Sequence, residues 1–99
     1  MSRYDHTRLD DLLSSRLRLA VMAVLATLER AGFTYLREHV KTTDGNLATH
    51  LRKLEDAGFV AVTKRFEGRK PLTEAAMTPA GRRAFVAYLD AMQGLVGKA

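Results

Sequence analysis

The chain has no cysteine, no tryptophan and only two prolines in 99 residues. Without cysteine there can be no disulfide, no thiolate nucleophile and no thiolate metal site, which fits a reducing cytoplasm. Aromatic residues are scarce at 7%, and acidic residues are outnumbered, with 11 Asp+Glu against 16 Lys+Arg. Long apolar runs are missing as well. The longest, residues 19–28, is interrupted by Thr27 and bounded by Arg18 and Glu29, far short of the roughly 20 residues that cross a bilayer. The N-terminal stretch carries Asp5, Asp10 and Asp11 and shows no signal-peptide pattern, so a cytoplasmic location without membrane association is expected. No internal repeat, linker or low-complexity stretch is visible. What is present is 46% hydrophobic residues, enough for a core and against a disordered tail. The length fits a single domain over residues 1–99. The net charge of +5 points to an anionic partner, nucleic acid ahead of a membrane surface.

Periodicity divides the chain into five helical segments and one hairpin. Residues 7–13 predict a short first helix with Leu9, Leu12 and Leu13 apolar. Leu17, Val21, Val24, Leu25 and Leu28 follow helical spacing, which predicts a helix over 16–30 preceded by Ser14 and Ser15 as caps and stopped by Gly32. Thr34 is then the expected N-cap of a two-turn helix over 35–40, with Phe33 as a staple residue. Lys41 and Thr42 make a tight turn, Thr43 caps a helix over 44–57, and Gly58 stops it. Residues 59–66 and 72–77 read as two strands around the turn-forming run EGRKP. Thr78-Pro79 starts a last helix reaching about Gly94. The fold class expected is mainly α with a small β-hairpin, in the order α-α-α-α-β-β-α: a helix-turn-helix followed by a wing.

Leu47, Leu51 and Leu54 must turn the 44–57 helix toward the core. The opposite face then presents Asp44, Gly45, Asn46, Ala48, Thr49, Arg52 and Lys53. Small and polar groups near a helix N-terminus can approach base edges, and cations further along can reach bases or phosphates. Taken alone such a face is an ordinary solvated surface; the preceding helix and the following basic hairpin turn the reading toward DNA recognition. Gly45, costly inside a helix, suits either close approach to a partner or a tolerant helix end. Thr34, at the start of the first helix of the pair, is assigned to the DNA backbone. In the hairpin, Lys64, Arg65, Arg69 and Lys70 surround Gly68 against one acid, Glu67, and suit sugar–phosphate or the minor groove. The bland alternative is a charged turn that protects an edge strand.

His6, His39 and His50 are too scattered for a metal site. His50 is expected to be a partly buried structural residue or a phosphate contact. Met22, Met77 and Met92 read as packing. No catalytic constellation, cofactor loop or metal set is recognisable, so no enzyme and no cofactor are expected. The final helix carries Phe85, Tyr88, Leu89 and Met92 on one stripe. A small core can cover only part of it. With Leu9, Leu12 and Leu13 it is expected to form a two-fold interface, which makes residues 1–15 and 78–99 dimerisation elements.

Residues 43–60, the run KRFEGRKP and the segment MTPAGRRAF (residues 77–85), with RLRLAVMAVL upstream, resemble the small single-domain winged-helix transcriptional regulators of prokaryotes, in the MarR-like and ArsR-like group. The resemblance covers residues 16–92. It implies homodimers on pseudo-palindromic double-stranded DNA, joined through terminal helices, and promoter occupation as a repressor. It also implies base contacts from Asn46, Thr49, Arg52 and Lys53 and wing contacts near Arg69 and Lys70. Lys41 and Thr42 replace the glycine and aliphatic residue common in this group, which predicts a looser turn. Ala75 replaces an aromatic, which predicts a gap beneath the wing. The residues identify no small-molecule effector. The rival reading is a winged helix that binds an acidic protein partner.

Overall fold

The computed structural model describes Thr7 and residues 9–96. Leu12–Ser14 forms a single 3₁₀ turn, followed by α1 (Arg16–Thr27), β1 (Ala31–Gly32), α2 (Phe33–His39), α3 (Asp44–Asp56), β2 (Val60–Glu67), β3 (Lys70–Met77) and α4 (Pro79–Leu95). The strands form one antiparallel sheet in the order β1-β3-β2. The core gathers Leu13, Val21, Met22, Leu25, Leu36, Leu47, Leu54, Val60, Phe85 and Tyr88, contributed by every helix and by β2. Among the described residues no helix is long and apolar enough to cross a membrane.

Three of the expected caps act where the sequence places them. The Ser15 side chain accepts from the Arg18 amide, Thr43 from that of Asn46 and Thr78 from that of Gly81. Each hydroxyl satisfies a backbone donor that a helix start leaves unpaired. Gly58 (φ 79°) and Gly68 (φ 64°) take the left-handed conformation at the end of α3 and in the hairpin turn. Lys41 does so too (φ 55°), a conformation rare for a residue with a Cβ. The Thr42 amide donates to the Arg37 carbonyl at 3.1 Å, so the turn between α2 and α3 is closed rather than loose.

Four expectations need correction. The helix over 7–13 is replaced at its C-terminal end by the 3₁₀ turn, in which the Leu12 amide donates to the Asp10 carboxylate at 2.8 Å; a side chain that bonds this locally competes with helix continuation. The helix expected to reach residue 30 stops at Thr27, because Leu28 is extended (φ −121°, ψ 142°). The chain then supplies a third strand, Ala31 opposite Ala75 and Gly32 opposite Glu74. Sheet pairing there overrides helical periodicity, and Gly32 is not the stop of α1 but the N-cap of α2. Thr34 is therefore not an N-cap; it lies exposed in the first turn of α2, and Phe33 begins that helix. Ala75 is buried, opposite Ala31 and Val62 on the two neighbouring strands.

Candidate nucleic-acid interface

On α3 the leucines at 47, 51 and 54 are buried, with at most 4% of their surface exposed. This leaves Asp44, Gly45, Asn46, Ala48, Thr49, Arg52 and Lys53 all exposed, as expected. Their polar groups are not equally free. Asp44 accepts from Arg37 Nη1 of α2 at 2.8 Å, which pins the first turn of α3 to the preceding helix and holds the arginine even more firmly protonated than usual. Thr49 donates its hydroxyl proton to the Gly45 carbonyl at 3.0 Å. Outward it therefore offers a methyl group and an acceptor lone pair. Asn46 keeps its side-chain amide available while its backbone amide is held by Thr43 at 3.2 Å.

The hairpin turn is only two residues, Gly68 and Arg69, so Lys70 belongs to the strand and pairs with Glu67. Alternation along a strand then separates the wing's cations. Lys64, opposite Thr73, shares the face of Val60 and Val62 that meets the core. Arg65 and Lys70 belong to the other face. Lys64 and Val62 line a groove of about 280 Å³ together with Phe33, Ala48, Arg52 and Glu55, so Arg52 of α3 and Lys64 of the wing flank one channel. Arg65 is instead drawn to Glu74: its Nε lies 3.1 Å from the carboxylate, with Arg30 at 4.0 Å on the same oxygen. The two cations hold the Glu74 carboxyl below its ordinary range, first through the Arg65 hydrogen bond. Thr34 and Lys70 line a second groove with Tyr35 and Pro71.

The histidines occupy separate places. His39 stacks on Tyr35, ring centroids 3.7 Å apart, and its Nδ1–H donates to the Tyr35 carbonyl at 2.9 Å. His50 is half-buried and faces Arg18 of α1. His6 lies outside the described residues. Of the expected dimer stripe, Leu13, Phe85 and Tyr88 are not surface residues: they are buried in the chain's own core. Leu9, Leu12 and Met92 pack partly against that core, and Leu89 remains 41% exposed. Three residues were missed in sequence. Arg37 and Glu74 act as charge partners chosen by tertiary proximity, and Phe66 stands exposed near the wing tip. For Phe66 the alternation with Lys64 was a usable signal.

Residues 17–96 match the winged helix DNA-binding domain family. The chain belongs to it. This winged helix is 40% identical over 78 residues to the uncharacterised protein MJ0432 of Methanocaldococcus jannaschii, covering 79% of this chain and 85% of that protein. Among solved structures it is similar to a transcriptional regulator homologue from Pyrococcus horikoshii OT3, at 26% identity and TM-score 0.87 over 97% of this chain and 95% of the other. A MarR-family transcriptional regulator from Silicibacter pomeroyi shares the fold at 18% identity and TM-score 0.69, covering 92% and 60% of the two chains. The winged helix expected from the sequence is thus the fold and the family of the chain, and the fold is that of DNA-binding transcription regulators.

Proposed function

We propose that this single winged-helix domain is a cytoplasmic, non-enzymatic transcriptional regulator that binds double-stranded DNA sequence-specifically as a homodimer on a pseudo-palindromic operator. It represses by occupying the promoter. The observation that carries the reading is the face of α3: seven exposed residues grading from small and polar to basic, backed by fully packed leucines and flanked across one groove by Lys64. A helix so mounted enters a major groove with Asn46 and Thr49 toward base edges and Arg52 and Lys53 toward bases or phosphates. Lys64, Arg69, Lys70 and Thr34 then meet sugar–phosphate on either side, and Gly45 permits close approach. Met92 and the exposed Leu89 of α4, with Leu9 and Leu12, supply the two-fold contact.

Retention on heparin combined with a duplex gel shift over a salt series tests the reading. Affinity is expected to fall with a log–log slope of roughly −0.9 per phosphate contact. Binding to duplex DNA that stays flat between low and physiological salt overturns it, as does selective capture of an acidic polypeptide with no affinity for DNA.

A further inference from the structure

We propose that Phe66 and its cross-strand partner Pro71 form an apolar wedge that enters the minor groove beside each half-site, opens a base step and bends the duplex. The proposal rests on the DNA-binding reading above and extends it from charge contact to deformation of the DNA.

Four cross-strand pairs share the face of the hairpin that meets the core: Val60 with Met77, Val62 with Ala75, Lys64 with Thr73 and Phe66 with Pro71. Burial falls along this series. Val60 is 2% exposed and Ala75 is buried beneath the helices; Lys64 and Thr73 line the groove facing Arg52; Phe66 is 72% exposed. The face that begins in the core thus ends in a bare aromatic ring beside a proline, beyond the groove that borders α3. Large apolar groups left uncovered mark interaction sites when they form a patch rather than stand singly. Here Phe66 is paired across the strands with Pro71, whose pyrrolidine ring fixes its own backbone torsion.

The surroundings select the occupant. Lys64 shares the face of the pair and Arg69 occupies the adjoining turn, while Lys70 lies next to Pro71 on the opposite face with Glu67, and Arg65 is held there by Glu74. An apolar pocket on another protein would have to match the Lys64 and Arg69 charges with carboxylates. A DNA duplex presents both parts at once, phosphates for the cations and stacked base faces for the ring. Minor-groove proteins insert Phe and Pro side chains between base steps in this way and kink the duplex toward the major groove. The deformation favours flexible pyrimidine–purine steps over stiff A-tracts, so the wedge adds sequence preference where no hydrogen bond reads a base.

The full chain first selects a duplex from a random-sequence pool. That duplex is then end-labelled for energy transfer and carries 2-aminopurine at the steps flanking each half-site. Wild type is expected to shorten the end-to-end distance and raise 2-aminopurine emission. Phe66→Thr keeps a strand-forming residue, and thermal melting checks its fold. It is expected to lose both signals, to bind on the order of tenfold more weakly, and to keep the wild-type salt slope because no charge is removed. Wild type should also discriminate against an A-tract at the flanking steps while Phe66→Thr does not. Tight, salt-dependent binding without bending, or equal bending by Phe66→Thr, overturns the wedge and leaves the DNA-binding reading intact. Failure to select any duplex overturns both. A change in sedimentation of free Phe66→Thr with bending unaltered assigns the ring to a protein contact instead.

Discussion

Arg18 Nη1 lies 2.8 Å from His50 Nδ1, joining α1 to α3. A guanidinium has only donors, so Nδ1 must accept and the ring is the neutral Nε2–H tautomer. Arg18 Nε also donates to the Leu12 carbonyl, so one side chain ties the 3₁₀ turn, α1 and α3 together. Partial burial first, then the Arg18 and Lys53 charges, push the His50 pKa below its ordinary value, near 6.5 in unfolded chains. The unfolded chain therefore binds this proton more readily. Stability from His50 is fully present above pH about 6.5 and is lost as pH falls through the lower folded value. His50→Asn keeps an acceptor near Nδ1 without titrating. Thermal melts at pH 7.5 and about 5.5 should show a smaller acid loss in His50→Asn than in wild type; equal losses would remove His50 as the cause.

Two helical glycines should respond in opposite directions. A Cβ on Gly81 would lie 2.0 Å from the Phe59 carbonyl oxygen and 2.8 Å from its carbon. That oxygen also accepts from the Thr78 amide at 3.0 Å, so it cannot easily retreat. Gly81→Ala is expected to cost on the order of 1–3 kcal/mol or more in urea unfolding, since overpacking forces the backbone apart. Around Gly45 nothing lies within 4 Å. Gly45→Ala should leave the fold unchanged or stabilise it by up to about 1 kcal/mol, yet weaken DNA binding if the helix backbone approaches the duplex there. Unchanged affinity would make Gly45 no more than a tolerated helix end.

How far the sequence reached depended on where each determinant lies. Thr43, the three leucines and Gly58 sit inside or beside α3, and they placed both its ends to within a residue and its seven named residues on the exposed side, without Glu55, which is exposed beside Arg52. The stretch from Leu28 to Gly32 was misread because its conformation is set by Ala75 and Glu74 on β3, which no local pattern in residues 16–32 announces. Leu13, Phe85 and Tyr88 were read as leftover surface because a helical stripe does not say how much of itself the chain can cover. The division of the wing into two faces was legible from strand alternation. The capture of Arg65 by Glu74 was not, since it depends on side-chain conformation across the sheet.

Base reading and backbone contact should separate by element. Asn46 and Thr49 point from the first turns of α3, whereas Arg69 occupies the hairpin turn. Asn46→Ala or Thr49→Ala should relax preference at one base position per half-site, by about 1–3 kcal/mol where a bidentate hydrogen bond is removed and less for a methyl group. Arg69→Ala should weaken all sequences alike and make the salt slope shallower by roughly 0.9 for each phosphate no longer neutralised. Arg65→Ala should change the slope less than Arg69→Ala, because Glu74 already neutralises it; Glu74→Gln should release Arg65 and steepen the slope. Competition against operator variants, repeated over a salt series, measures all of these. The same uniform loss from Thr49→Ala and Arg69→Ala would show that α3 does not read bases with this face.

Assembly should depend on the outer side of α4. Burial of Phe85 and Tyr88 in the chain's own core fixes which side of α4 faces inward. Val86 (49% exposed), Leu89 (41%) and Val96 (78%) are left on the outside. Leu89, Met92 and Val96 border a surface groove of about 470 Å³ with Asp90 and Gln93. A two-fold axis beside this groove would let each α4 cover the other's apolar residues with the same patch. It would also hold two recognition helices on one side of a duplex, about 34–36 Å apart for half-sites one turn apart. Dimerisation and tight operator binding should then fail together. Leu89→Glu places a charge in the shared patch without touching the buried residues, so its melting as a monomer should stay cooperative while its sedimentation drops to the monomer value. Its operator affinity should fall to that of a single half-site. If wild type is monomeric at micromolar concentration and still binds a palindrome tightly without cooperativity, α4 serves only the monomer's core and the coupling is absent.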